Sequence, residues 1–218
     1  MCFSATASFV TAGVTGIIGI ASLMRASDRS QLLLAAVPVV FGTQQVIEGL
    51  LWLNLPMASD RAGVSTLTLL FLLFAEVLWP VYMPLAVLLI EPDARRRTLM
   101  LPWLALGAAV ATYLAWGILT RPLGASILGE HVVYVTDNKF SFAAGVAYVG
   151  VIAIPFVLST QRVIGLFGTV VLAGWATAYF FYWEALVSVW CFFAAAASTV
   201  ILLHFEKLAR YRVAAGTG

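Results

Sequence analysis

The sequence predicts an all-α integral membrane protein, a bundle of about seven transmembrane helices. Composition is the first reason: of 218 residues, 62% are hydrophobic and only 10% charged, a balance far outside that of a water-soluble domain. Length is the second, because a hydrocarbon core about 30 Å thick takes roughly 20 apolar residues per helix, which leaves room for six or seven spans and short connections. The third is punctuation, since clusters of Arg, Asp, Asn and Pro interrupt the apolar runs at the required intervals. One transmembrane domain over residues 1–213 with a flexible tail at 214–218 is the expected organisation.

The first apolar run covers about 7–24, carries Gly13, Gly16 and Gly19 as a small-residue packing face, and ends at Arg25, Asp28 and Arg29. No basic region precedes it, so it reads as a retained span rather than a cleaved signal. A small Cys2 favours removal of Met1, which would leave an amine and a thiol together. The second span covers about 31–55 and stops at Asn54 and Pro56, and the third covers 63–90, where Pro80 and Pro84 remove backbone donors and predict a kink. Glu91-Pro92-Asp93 and Arg95–Arg97 form a turn before span four at 99–119. Residues 121–139 read as the longest loop, followed by spans at 140–158, 163–181 and 185–205.

The distribution of Lys and Arg sets the expected orientation. Arg25, Arg29, Arg95, Arg96, Arg97, Arg162, Lys207, Arg210 and Arg212 fall at one set of helix ends, against Arg61, Arg121 and Lys139 at the other. The richer side is expected to be cytoplasmic, with the N-terminus outside and the C-terminus inside. Net charge is only +2, and no basic run exceeds three residues, so nucleic acid is not expected as a partner. The bilayer is the expected environment, with a small-molecule or lipid ligand as its companion; protein partners are not legible.

Ionisable side chains inside a span cost roughly 2.5–3.5 kcal/mol at the bilayer centre, and they mark functional positions by default. Two stand out, Glu48 in span two and Glu76 in span three. At about 1.5 Å per residue they lie about 9 and 18 Å inside the outer ends of their spans. Gln44, Gln45 and Trp52 stand three or four residues from Glu48, sharing its side of the helix, and Trp79 follows Glu76. Pro80 is expected to release the carbonyl of residue 76 from its helical bond. Tyr179, Glu184 and Cys191 complete the expected ligand-binding set of an outward-opening polar cavity, with Ser188 and Cys191 forming a small-residue packing stripe. Trp175, Tyr179 and Tyr182 lie along one side of span six, and the aromatics near Tyr182 and Trp183 read as an interfacial belt.

Thiolate, imidazole and carboxylate donors suit a divalent transition metal such as zinc, and Cys2, Glu48, Glu76 and His131 would supply them, although none stands at ligand spacing from another. Retinal is not expected, because Lys139 and Lys207 lie outside the spans, nor is bis-histidine haem, because His131 and His204 lie at opposite ends. The opening MCFSATASF, with QQVIEGLLW at 44–52, FAEVLWPVYMP at 74–84 and the Trp190-Cys191 pair, resembles an uncharacterised family of bacterial multi-pass membrane proteins. That resemblance implies a bacterial inner-membrane setting and brings no catalytic residues. The expected function is a membrane protein whose acidic cavity binds a small ligand or metal ion. An intramembrane metal-assisted hydrolase and a proton-coupled transporter are the two alternatives, and whether the chain is an enzyme stays open.

Overall fold

In the computed structural model, which describes residues 4–57, 61–129, 131–136 and 142–214, helices account for most of the chain. Six helices among the described residues are long and apolar enough to cross a membrane: Ala5–Arg25, Arg29–Asn54, Val64–Ile90, Ala94–Thr120, Arg162–Phe181 and Trp183–Arg210. Ala143–Leu158 is apolar but shorter. Bulky apolar side chains cover the outside, with Ile17, Met24, Trp116, Val157, Phe180 and Phe181 each more than 70% exposed. Such a surface is insoluble in water and suited to lipid. The protein is an integral membrane protein.

Helix α1 (Ala5–Arg25) starts where the Ser4 side chain accepts from the Ala7 amide at 3.2 Å, and near its end the Arg25 guanidinium donates to the Ala21 carbonyl at 2.8 Å. It packs along α2 (Leu32–Asn54) through glycines. In lipid the attraction between helices is mainly van der Waals contact, so backbones must come close. Gly19 meets Val39, Gly42 meets Thr15 and Ala12, and Gly49 meets the Phe9 ring. These pairs fix an antiparallel register in which rising numbers on one helix face falling numbers on the other. The expected face of three glycines is corrected to one: Gly13 and Gly16 have open space where a Cβ would sit.

The third span is broken. Helix α3 (Arg61–Leu72) passes into a π-helical segment, Leu73–Leu78, and then α4 (Trp79–Ile90). A π turn pairs each carbonyl with the N–H five residues on, and Ala75 would then face position 80, where proline has no N–H. The Tyr148 hydroxyl from α6 (Phe142–Leu158) donates to that carbonyl instead, at 2.5 Å. The expected orphan at residue 76 therefore moves to Ala75, because the break is a π turn rather than a simple proline kink. On α5 (Ala94–Thr120), Gly107 sits against the Pro80 carbonyl, where any Cβ would overlap it. Only glycine lets α5 approach the kink this closely.

At the arginine-bearing end, Glu91 fastens two turns together. Its carboxylate accepts from the Thr160 amide at 2.8 Å, the Thr160 hydroxyl at 2.7 Å, the Ser159 hydroxyl at 2.9 Å and the Asp93 amide at 3.3 Å. Arg96 adds a bond to the Leu158 carbonyl at 2.6 Å. Burial pushes the Glu91 carboxyl up, but the bonds from Thr160 and Ser159 outweigh it and hold its pKa below the ordinary value.

Within the stretch expected as the longest loop, 121–139, the described residues include a hairpin. Strands β1 (Leu123–Leu128) and β2 (His131–Thr136) pair antiparallel, from Leu123 opposite Thr136 to Leu128 opposite His131. Gly129, with φ at 61°, supplies the left-handed residue of the turn. The hairpin lies over the end of α3, stacking Tyr134 on Phe71 with ring centroids 4.5 Å apart. The remaining helices are α7 (Arg162–Phe181), α8 (Leu186–Ala197) and α9 (Thr199–Ala214). The main core, including Phe41, Trp79, Met83, Ile152, Phe167 and Phe205, lies among α2 and α4 through α9, and a smaller core under the hairpin holds Ile47, Leu51, Phe71, Ala75 and Cys191.

Candidate functional site

The small core beneath the hairpin is where the polar side chains collect. Glu48 of α2 has no exposed surface, and three consecutive helical choices on α2 put Gln44, Gln45 and Glu48 on its buried side. The Gln45 amide donates to Glu48 Oε2 at 3.1 Å, and the Ser188 hydroxyl from α8 donates to Glu48 Oε1. The Tyr134 hydroxyl of β2 also faces this carboxyl. Gln44 turns its Oε1 to the Trp79 indole N–H at 2.9 Å, and Trp79 stacks on Phe41 at 4.0 Å.

Glu76, 4% exposed, sits in the π segment, and its Oε2 has no hydrogen-bond partner. Cys191, a buried free thiol, lies within interaction range of both carboxyls and of the Gln44 amide. Tyr148 lies close to Glu76 and Cys191. Gln45 Oε1, Trp52 Nε1 and Ser8 Oγ are among the other buried atoms with no partner. Because Gly49 packs on Phe9, the fully buried Ser8 stands at the level of Glu48. Buried polar atoms are paired in the great majority of cases, so these unpartnered ones are departures from the rule. Among the described residues, the buried charged side chains are Glu48, Glu76 and Glu91, with no lysine or arginine among them.

Space is limited. A cavity of about 30 Å³ lies beside Trp79, Tyr148, Trp190 and Cys191, its far wall made by Phe156 and Phe167. Lined by apolar surface, a space of that size is a small packing gap rather than a water site. The polar side chains pack as a closed cluster, much tighter than the outward-opening cavity expected from sequence.

Of the residues expected to bind a ligand, Gln45 bonds Glu48, Trp79 bonds Gln44, and Cys191 lies in range of Glu48, Gln44 and Glu76, while Trp52 stands on the same helix one turn beyond Glu48. Tyr179 and Glu184 lie at the surface, Tyr179 packing against Trp175, Phe180 and Trp183 in an aromatic patch. Of the expected metal donors, His131 packs on Tyr182 at 5.3 Å, and Cys2 lies outside the described residues. No group of three His, Cys, Asp or Glu side chains placed to hold a metal occurs among the described residues. Sequence reasoning missed Ser8, Tyr134 and Tyr148, and read Ser188 as packing alone. A serine in a Ser/Ala/Thr-rich helix gives no signal of its own, and the two tyrosines reach the cluster only through tertiary contacts.

Fold and cluster together define a multi-pass helical membrane protein with buried acidic side chains. Over residues 1–216 the chain matches a family of unknown function, DUF6629, and it belongs to that family. No curated protein and no solved structure matches it.

Proposed function

We propose that the protein binds a small, positively charged polar ligand at the Glu48–Glu76 cluster. The observation that carries this reading is the unpartnered Glu76 Oε2, with Cys191 in range of both Glu76 and Glu48 and no buried lysine or arginine among the described residues to balance them. A carboxylate removed from water without a cation is strongly disfavoured, and a bound positive group removes that penalty. Gln45 Oε1 is one further unpartnered acceptor, which suits a ligand that only donates or coordinates. The close packing of Gln45 and Ser188 on Glu48 favours something small, an inorganic cation or a short amine. In this reading the N-terminus and hairpin lie outside a bacterial inner membrane and the arginine-rich turns lie in the cytoplasm.

The test is thermal melting of purified protein against alkali cations, zinc, short primary amines and their neutral analogues. A charged probe is expected to raise the wild-type midpoint, and Glu48→Gln/Glu76→Gln is expected to abolish that rise. A probe series in which neutral analogues act as well as charged ones would show that the cluster is interhelical glue.

A second reading, proton-coupled transport, draws support from the π segment at Glu76, since π turns recur where a helix must adjust. Proteoliposomes loaded with a pH gradient would show flux that Glu76→Gln removes; gradient-independent flux would end that reading.

A further inference from the structure

Far from the carboxyl cluster, α4 and α5 leave a concave pocket of about 260 Å³ lined by Leu88, Ala94, Arg97, Thr98 and Leu101. Four of these lie at positions i, i+3, i+4 and i+7 of α5, which is one continuous face of the helix. We propose that this pocket binds the headgroup of an anionic phospholipid, with the phosphate on Arg97 and an acyl chain against Leu88 and Leu101.

Depth is the first argument. Leu88 lies two residues inside the end of its span at Ile90, about 3 Å, and Leu101 lies about 10 Å along α5 from Ala94. The pocket thus runs from the helix end at Ala94 inward to Leu101, with Arg97 about 4–5 Å inside the start of α5, a depth from which a long arginine side chain reaches headgroup level. Charge is the second argument. Arg95, Arg96 and Arg97 are all exposed, and the acids beside them are already engaged: Asp93 caps the Arg96 amide at 3.0 Å, and Glu91 is held by Ser159 and Thr160. Arg96 is spent on the Leu158 carbonyl, which leaves Arg97 as the guanidinium on the pocket face. A guanidinium matches phosphate with two parallel hydrogen bonds. Size is the third, because the volume is below that of a typical small-molecule site and suits one headgroup while the rest of the lipid stays in the bilayer. Leu101 is 51% exposed and open to a chain.

The full-length protein, stripped of lipid in detergent, would be melted with phosphatidylglycerol, phosphatidylcholine or inorganic phosphate. Phosphatidylglycerol is expected to raise the wild-type midpoint, with apparent affinity falling about fivefold in Arg97→Gln, the loss expected for one basic residue at a membrane surface. Arg95→Gln, off the pocket face, is expected to behave as wild type. Three results would overturn the assignment: phosphatidylcholine acting equally well, inorganic phosphate alone reproducing the shift, or Arg95→Gln losing as much affinity as Arg97→Gln.

Discussion

Glu91 carries its charge at the edge of the bundle, where four hydrogen-bond donors converge on it. Glu91→Gln keeps the shape but weakens charge-assisted bonds, and the expected loss is about 1–3 kcal/mol in equilibrium unfolding. Because its pKa in the folded protein lies below the ordinary 4.5, this contribution is complete above that value and disappears as pH falls through the folded one. The difference in melting midpoint between wild type and Glu91→Gln should therefore shrink on acidification; a constant difference would show that shape rather than charge is responsible. Tyr148→Phe strips the Ala75 carbonyl of its donor and should cost about 1–3 kcal/mol in the same assay. At this scale Glu48, Glu76 and the two glutamines were legible in sequence, because polar groups in an apolar span are conspicuous. Their partners were not: Ser188 lies 140 positions from Glu48, and Tyr148 lies 73 from Ala75.

Helix boundaries were the most legible elements, since apolar runs and polar stops dictate them. The second span, expected at 31–55, forms α2 as Leu32–Asn54, whereas the fourth begins five residues earlier than expected, at Ala94, because Asp93 caps it. The π segment was only half legible. Two prolines announce a break, but which carbonyl it orphans depends on the register of the turn and on a hydroxyl from another helix. Gly107 belongs to the same device. Gly107→Ala forces a methyl into the Pro80 carbonyl, so α5 must move away; a loss of about 1–3 kcal/mol is expected, read as a lower melting midpoint. The hairpin escaped notice because a run without helical period reads as a loop; the β-branched Val132, Val133, Val135 and Thr136 after a glycine were the available signal.

For the whole molecule, apolar surface outward and polar side chains inward is the arrangement that a bilayer selects. The charge asymmetry adds a prediction: single cysteines placed at Ser126 and at Thr98 should react with a membrane-impermeant thiol reagent from opposite sides, and labelling from one side would refute the proposed orientation. Cys2 and Cys191 would first be replaced by serine. The central claim, one shared site rather than two isolated acids, is tested most directly by a double-mutant cycle on the cation-dependent melting shift, using Glu48→Gln, Glu76→Gln and the pair. Each single variant should remove most of the shift, and the pair should remove little more. Two partial losses that simply add would mean that the carboxyls act independently, and the shared-site account would fail.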